Sequence, residues 1–145
     1  MVGSQAPDFV LDGSDGRRYE LTELRRSGPV MLMFYPANDS PGCNRQLTML
    51  QDEWAEFRFR GVQPFGVNPA PVAAHADFAR RLGLEFPLLS DRTESVCRAY
   101  GMRPAGGTEV QRGVCLIDRD GTVLAAIPGA PGASIVLEAL GLEEK

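Results

Sequence analysis

Six consecutive apolar residues, Val30-Met31-Leu32-Met33-Phe34-Tyr35, do most to limit the architectures open to this chain. A strand with one wet face alternates apolar and polar residues. An unbroken run of this length belongs to a strand covered on both faces, as in a parallel sheet with helices on either side. Pro36 stops the run, and five residues later Pro41 suits the first position of a helix, where its missing amide would be unpaired anyway. That makes Ser40 the N-cap and puts Cys43 in the first turn. Apolar residues at Leu47, Leu50, Trp54 and Phe57 keep helical spacing, so a core-packed helix is expected from about Pro41 to about Arg58.

The rest of the chain alternates strand-like and helix-like segments without repeats or low-complexity linkers, which reads as an α/β fold. Strands at 9–11 and 18–20 flank the turn-rich Asp12-Gly13-Ser14-Asp15-Gly16, consistent with an N-terminal hairpin, and residues 22–26 suit a short helix. A strand is expected at 62–67, irregular at its start because of Pro64. A helix follows at 71–82, then a short strand at 86–89 and a helix at 92–100. Residues 113–117 and 122–127, joined through an Asp-Gly turn, form an antiparallel hairpin, and a helix over 133–140 closes the chain.

Cys43 is the residue in this frame most suited to chemistry. The unpaired amides and dipole of a helix start favour an anion, so the thiolate is favoured there. Ser40 stands where a Cys-x-x-Cys motif would carry its first sulfur, so no local disulfide forms. A thiolate with a hydroxyl three residues before it is better suited to attacking a small electrophile than to exchanging disulfides.

The stretch from Phe34 to Cys43, Phe-Tyr-Pro-Ala-Asn-Asp-Ser-Pro-Gly-Cys, closely resembles the active-site loop of peroxiredoxins of the bacterioferritin comigratory protein, or peroxiredoxin Q, subfamily. The resemblance extends along nearly the whole chain. Ala6-Pro7-Asp8-Phe9 with Leu11 resembles the family's opening strand, residues 86–91 (Phe-Pro-Leu-Leu-Ser-Asp) its fourth-strand signature, and residues 112–121 its Arg-x-x-x-Leu-Ile-Asp-x-x-Gly strand and turn.

The resemblance implies a thioredoxin-like fold, a central mixed sheet flanked by helices, with an N-terminal β-hairpin extension and one domain over residues 1–145. It implies a thiol-dependent peroxidase acting on hydrogen peroxide and organic hydroperoxides. Cys43 would be the peroxidatic cysteine, Ser40 would take the place of the usual threonine, Pro36 would shield the pocket, and Arg112 would position thiolate and peroxide. Gly42 and Cys43 would supply amides to the substrate. The reductant would be thioredoxin or a low-molecular-weight thiol, and no cofactor is implied.

Three departures from the family stand out. Ser40 lacks threonine's methyl group, so its hydroxyl is less restricted. Asn44-Arg45-Gln46 removes a carboxylate usual at the third position and adds a cation. Thr48 occupies the position where many members carry the resolving cysteine. Of the other sulfurs, Cys115 is expected on the sheet face opposite Arg112 as an inert core residue. Cys97, on the 92–100 helix, is a possible resolving cysteine only if that helix frays. Sulfenic acid on Cys43 is therefore expected to be reduced by an external thiol. His75 resembles a histidine common in the subfamily. With one histidine and no paired cysteines, no metal site is expected.

Composition agrees with a compact enzyme. A chain of 145 residues buries roughly 70% of its unfolded surface and needs no staples. Its net charge of -4 and pI near 5.0 argue against nucleic acid or an anionic membrane as partner. Three cysteines are too few for a disulfide scaffold, no apolar stretch reaches the length of about 18 residues that a membrane span needs, and the N-terminus lacks a signal-peptide layout. These features lead us to expect a cytoplasmic protein; its expected state, which composition does not decide, is a monomer or weak homodimer. Two other functions use the same residues: a thioredoxin-like partner or binding module without peroxidase activity, and a thioltransferase using Cys43 with glutathione.

Overall fold

The computed structural model describes residues 1–107 and 109–141. Its frame is a seven-stranded mixed sheet built from β1 (Val10–Gly13), β2 (Arg18–Glu20), β3 (Val30–Phe34), β4 (Gln63–Asn68), β5 (Leu88–Ser90), β6 (Gly113–Ile117) and β7 (Val123–Pro128), in the order β2-β1-β5-β4-β3-β6-β7. The helices are α1 (Leu21–Leu24), α2 (Pro41–Asp52), α3 (Trp54–Phe59), α4 (Val72–Leu82), α5 (Ser95–Ala99) and α6 (Ala133–Glu138). Strand β3 pairs in parallel with β4 and antiparallel with β6. It is buried at every position, as its unbroken apolar run requires. The N-terminal hairpin β1-β2 is present and extends the sheet through antiparallel pairing of β1 with β5. This is the expected thioredoxin-like arrangement with an N-terminal extension.

Alternation along the central strands divides the core in two. Met31, Met33 and Tyr35 from the β3 run, with Val114 and Leu116 of β6, face a cluster that includes Cys43, Leu47, Leu50, Phe57, Phe78 and Leu137. Val30, Leu32 and Phe34, with Cys115 and Ile117, face the other cluster, which includes Phe65, Val67, Val96, Cys97 and Tyr100. A leucine-to-alanine change in either layer would cost about 2–5 kcal/mol.

Pro64 lies inside central strand β4, where a proline is unexpected, and its pairing shows why it fits. The Gln63 amide donates to Pro29 on the β3 side, at 2.9 Å, so the next nitrogen points the other way, towards β5. Strand β5 pairs with β4 only from Gly66 onward, so no ladder bond is lost at Pro64.

Two expected helices are shorter than their sequence pattern. The helix read from Pro41 to about Arg58 is interrupted at Glu53 (φ -99°, ψ 3°) and continues as α3. There the Glu53 amide is shared between the Met49 and Leu50 carbonyls, each at 3.1 Å. Its carboxylate accepts from the Ala133 amide at the start of α6, at 3.1 Å. The break thus serves a tertiary contact, which apolar spacing cannot reveal. The helix read at 92–100 is reduced to α5 because Glu94 takes a left-handed φ of 62°. The Asp91 carboxylate then accepts from the amides of Val96 (3.2 Å) and Cys97 (2.7 Å), acting as the helix cap. The remaining boundaries move by one or two residues.

Candidate active site

The site is built where β3 ends and α2 begins. Pro36 terminates the strand, Asp39 takes φ 62° to turn the chain, and Ser40, in extended conformation, caps α2 with Pro41 at the first helical position. The Ser40 hydroxyl oxygen accepts from the Cys43 amide at 3.3 Å. This cap fixes the serine despite its missing methyl group. It also engages the Cys43 amide, which the resemblance had assigned to the substrate. Accepting that bond uses one lone pair and leaves the serine O–H free to donate elsewhere.

Cys43 is fully buried in the first turn of α2. Arg112 reaches it from the segment that leads into β6. Register places Gly113 opposite Phe34, so the preceding residue lies where β3 gives way to the loop. The half-buried Arg112 donates from Nη1 to Cys43 Sγ at 3.2 Å and to Gln46 Oε1 at 2.8 Å. Gly42 completes the fit: a Cβ there would lie 2.6 Å from Arg112 Nη2, so any larger residue pushes the guanidinium away. Four of the expected site residues, Ser40, Gly42, Cys43 and Arg112, therefore converge, and Pro36 is half-buried at the head of the same loop.

Gln46 was not anticipated as part of this site. It is buried, its Nε2 donates to the Phe34 carbonyl at 3.3 Å, and its oxygen holds Arg112. A carboxylate at this place would pair with the guanidinium; the amide orients it and leaves its charge directed at the sulfur. The signal was available as spacing, because a residue three after Cys43 shares its helix face.

The other sulfurs lie elsewhere. Cys97 and Cys115 belong to the core cluster on the opposite side of the sheet from Cys43. Burial pushes the Cys115 thiol up to about 12. Burial, and then the Asp91 carboxylate, raise that of Cys97 further. Cys97, raised as a possible resolving cysteine, is fully buried and its amide is held by Asp91, so pairing with Cys43 requires α5 to unfold. Thr48, by contrast, is exposed on α2. Among the described residues, no three His, Cys, Asp or Glu side chains converge as metal ligands, and no helix is long and apolar enough to cross a membrane.

Comparison with known proteins places this geometry. Residues 2–126 match the AhpC/TSA family. The chain is 33% identical over 146 aligned positions to a Coxiella burnetii protein that carries the name peroxiredoxin bcp, covering 97% of this chain and 96% of that one. It also matches the chloroplastic peroxiredoxin Q of Oryza sativa at 35% identity, spanning 56% of that longer protein. Among solved structures, peroxidoxin BcpB of Mycobacterium tuberculosis superimposes with a TM-score of 0.84 at 32% identity, over 97% of this chain and 94% of the other. The Xanthomonas campestris bacterioferritin comigratory protein does so with 0.82 at 27%, over 94% and 92%. A cysteine at a capped helix start, an arginine donating to its sulfur and kinship over nearly the full chain lead to one conclusion: the chain belongs to the AhpC/TSA family, as a thiol-dependent peroxidase of the Bcp/peroxiredoxin Q type.

Proposed function

We propose that Cys43 is the peroxidatic cysteine and that Ser40, Arg112 and the Gly42 turn form the pocket in which hydrogen peroxide and organic hydroperoxides react. The observation that carries this reading is the 3.2 Å contact from Arg112 Nη1 to Cys43 Sγ at the N-terminus of α2. The Cys43 thiolate attacks the nearer peroxide oxygen along the O–O axis. The S–O bond forms, the O–O bond breaks, and the far oxygen leaves as hydroxide or alkoxide and takes a proton to become water or alcohol. The cationic guanidinium lies where negative charge shifts from sulfur to oxygen, and the free Ser40 O–H is available to the second oxygen. Both are fixed before reaction, which is what makes such donors effective. Pro36, heading the loop, would shield the pocket.

The substrate range is supported by the Xanthomonas campestris relative, which is described for its alkyl peroxide reduction activity. Recycling is assigned to an external thiol, either thioredoxin or a low-molecular-weight thiol. One thiol condenses with the sulfenic acid to give a mixed disulfide and water, and a second releases Cys43 and leaves as disulfide. Support comes from Thr48 in the resolving position and from the two other sulfurs lying across the sheet. The proposal includes a cytoplasmic setting, consistent with three unpaired cysteines, and a monomer or weak homodimer.

Treating the reduced protein with one equivalent of peroxide and mapping its peptides by mass tests this reading. Sulfenic acid on Cys43, trapped by a dione reagent, is expected, and Cys43→Ser should abolish peroxide consumption while keeping the fold. A dominant Cys43–Cys97 disulfide would overturn the external-thiol route. Peroxide consumption by Cys43→Ser would overturn the site.

A further inference from the structure

His75, the only histidine in the sequence, lies on α4 and is fully buried. Its surroundings are polar. Nε2 is 3.2 Å from the Asn68 carbonyl oxygen, and Nδ1 is 3.2 Å from Asn38 Nδ2 and 3.5 Å from the Tyr35 hydroxyl. Tyr35 Oη donates to Asn38 Oδ1 at 2.8 Å, and Asn68 Nδ2 donates back to the Tyr35 carbonyl at 3.0 Å. Asn68 is held in turn by the Ala70 amide on its Oδ1, at 2.7 Å.

The directions of these bonds follow from chemistry. A carbonyl oxygen only accepts, so Nε2 carries the imidazole proton and Nδ1 is the acceptor. Nδ1 takes its bond from the Asn38 amide, whose oxygen is left to accept from Tyr35. The sequence runs Tyr35 hydroxyl to Asn38, Asn38 to His75, His75 to the Asn68 backbone, and the Asn68 side chain back to the Tyr35 backbone. It is a closed ring in which each donor group faces an acceptor. A proton on Nδ1 would set donor against donor at Asn38; turning that amide round would then orphan the buried Tyr35 hydroxyl proton. Burial lowers the His75 pKa and raises that of Tyr35, which keeps both in the neutral forms the ring needs.

Three members of the ring stand on rigid elements: Tyr35 at the end of β3, Asn68 at the end of β4 and His75 on α4. The fourth, Asn38, is in the middle of the loop that carries Pro36 and Ser40. We infer that His75 is a positioning residue for peroxide reduction, holding the 36–40 loop through Asn38 and with it the place of the Ser40 hydroxyl at the start of α2. The inference rests on the reading of Cys43 as the reacting group. It assigns a role to a side chain that touches neither sulfur nor peroxide. Without this tie the loop is held by the Ser40 cap and by the exposed contacts of Asp39 with Asn44 and Arg81, each at 3.4 Å, and loses its one anchor in the buried core.

Kinetics and one spectrum test it. In His75→Ala and in Asn38→Ala, the rate constant for Cys43 oxidation by hydrogen peroxide should fall about tenfold each, less than the roughly hundredfold cost of a full 1 Å misplacement because the Ser40 cap remains. The double variant should also fall about tenfold rather than about a hundredfold, because both changes cut the same tie. His75→Gln, which offers an acceptor and a donor at similar separation, should recover most of the rate. Asn38 is a half-buried loop residue, so its variant remains informative if His75→Ala unfolds. A long-range proton–nitrogen spectrum of the single histidine should place the imidazole proton on Nε2. Variants oxidised at the wild-type rate with only lowered thermal stability, multiplicative losses in the double variant, or a proton on Nδ1 would each overturn the inference. Failure of wild-type Cys43 to oxidise would refute the parent reading instead, and the spectrum would still report on the ring.

Discussion

On one side of the central sheet, Cys43 sits at a capped helix start with a guanidinium nitrogen 3.2 Å from its sulfur. On the other side, Cys97 and Cys115 are packed among Leu32, Phe34, Val67 and Ile117, and burial raises both their thiols. All three sulfurs are fully buried, so exposure does not separate them. What separates them is what each one faces: a guanidinium donor at the sulfur for Cys43, mainly apolar side chains for the others. For Cys97 the neighbouring Asp91 carboxylate opposes ionisation further. On the proposed reading, the same element, sulfur, is placed to react on one face and to fill space on the other.

The largest effect that would break this contrast comes from the guanidinium. Arg112→Ala should slow Cys43 oxidation by on the order of 100-fold, the usual loss when one preorganised donor is removed. Arg112→Lys should recover little, because a point charge cannot span sulfur and Gln46 together. Gly42→Ala offers a milder route to the same end, since its methyl group would displace Nη2 while the helix start remains. Stopped-flow oxidation of the reduced proteins measures all three. An unchanged rate in Arg112→Ala would remove the chemical distinction between the two faces.

Ser40 comes next. Ser40→Ala should lower the oxidation rate and, through loss of the cap, destabilise the protein by about 1 kcal/mol. Ser40→Thr should keep both rate and stability. Thermal unfolding reads the cap and oxidation kinetics read the hydroxyl, so the two contributions are separable. Equal kinetics in all three proteins would confine Ser40 to a structural role.

The smallest effect on catalysis belongs to the far face. Cys97→Ala and Cys115→Ala should oxidise Cys43 within about twofold of wild type while losing stability on the scale of about 1 kcal/mol typical of core truncations. Their signature is at alkaline pH. The Cys115 thiol titrates at about 12 in the folded chain against an ordinary value of 9.0. Above 9 the unfolded state therefore releases a proton that the folded state retains. The stabilisation is complete below pH 9 and is lost progressively towards 12, so wild type should lose stability with rising pH more steeply than Cys115→Ala. Parallel unfolding curves from pH 8 to about pH 11 in the two proteins would contradict the burial of this thiol.

Much of this protein is dictated locally, and the sequence shows that part directly. The six-residue apolar run specifies a doubly covered strand, Ser40 and Pro41 specify where the next helix starts, and Cys43 is thereby placed in its first turn. Alternation along residues 112–117 is enough to separate Arg112 from Cys115. These follow from backbone geometry and side-chain period, which act over a few residues. The tertiary structure decided the rest, because it depends on groups far apart in the chain meeting at fixed distances. Glu53 interrupts a helix whose apolar spacing continues, since its carboxylate meets the start of α6. Pro64 is accommodated in a central strand because β5 falls short of it. Gln46 becomes the partner of Arg112, and His75 closes a ring with Tyr35, Asn38 and Asn68, only once β3, β4, β6 and two helices are assembled. A buried polar group is defined by the partner that satisfies it, and a linear sequence does not name that partner.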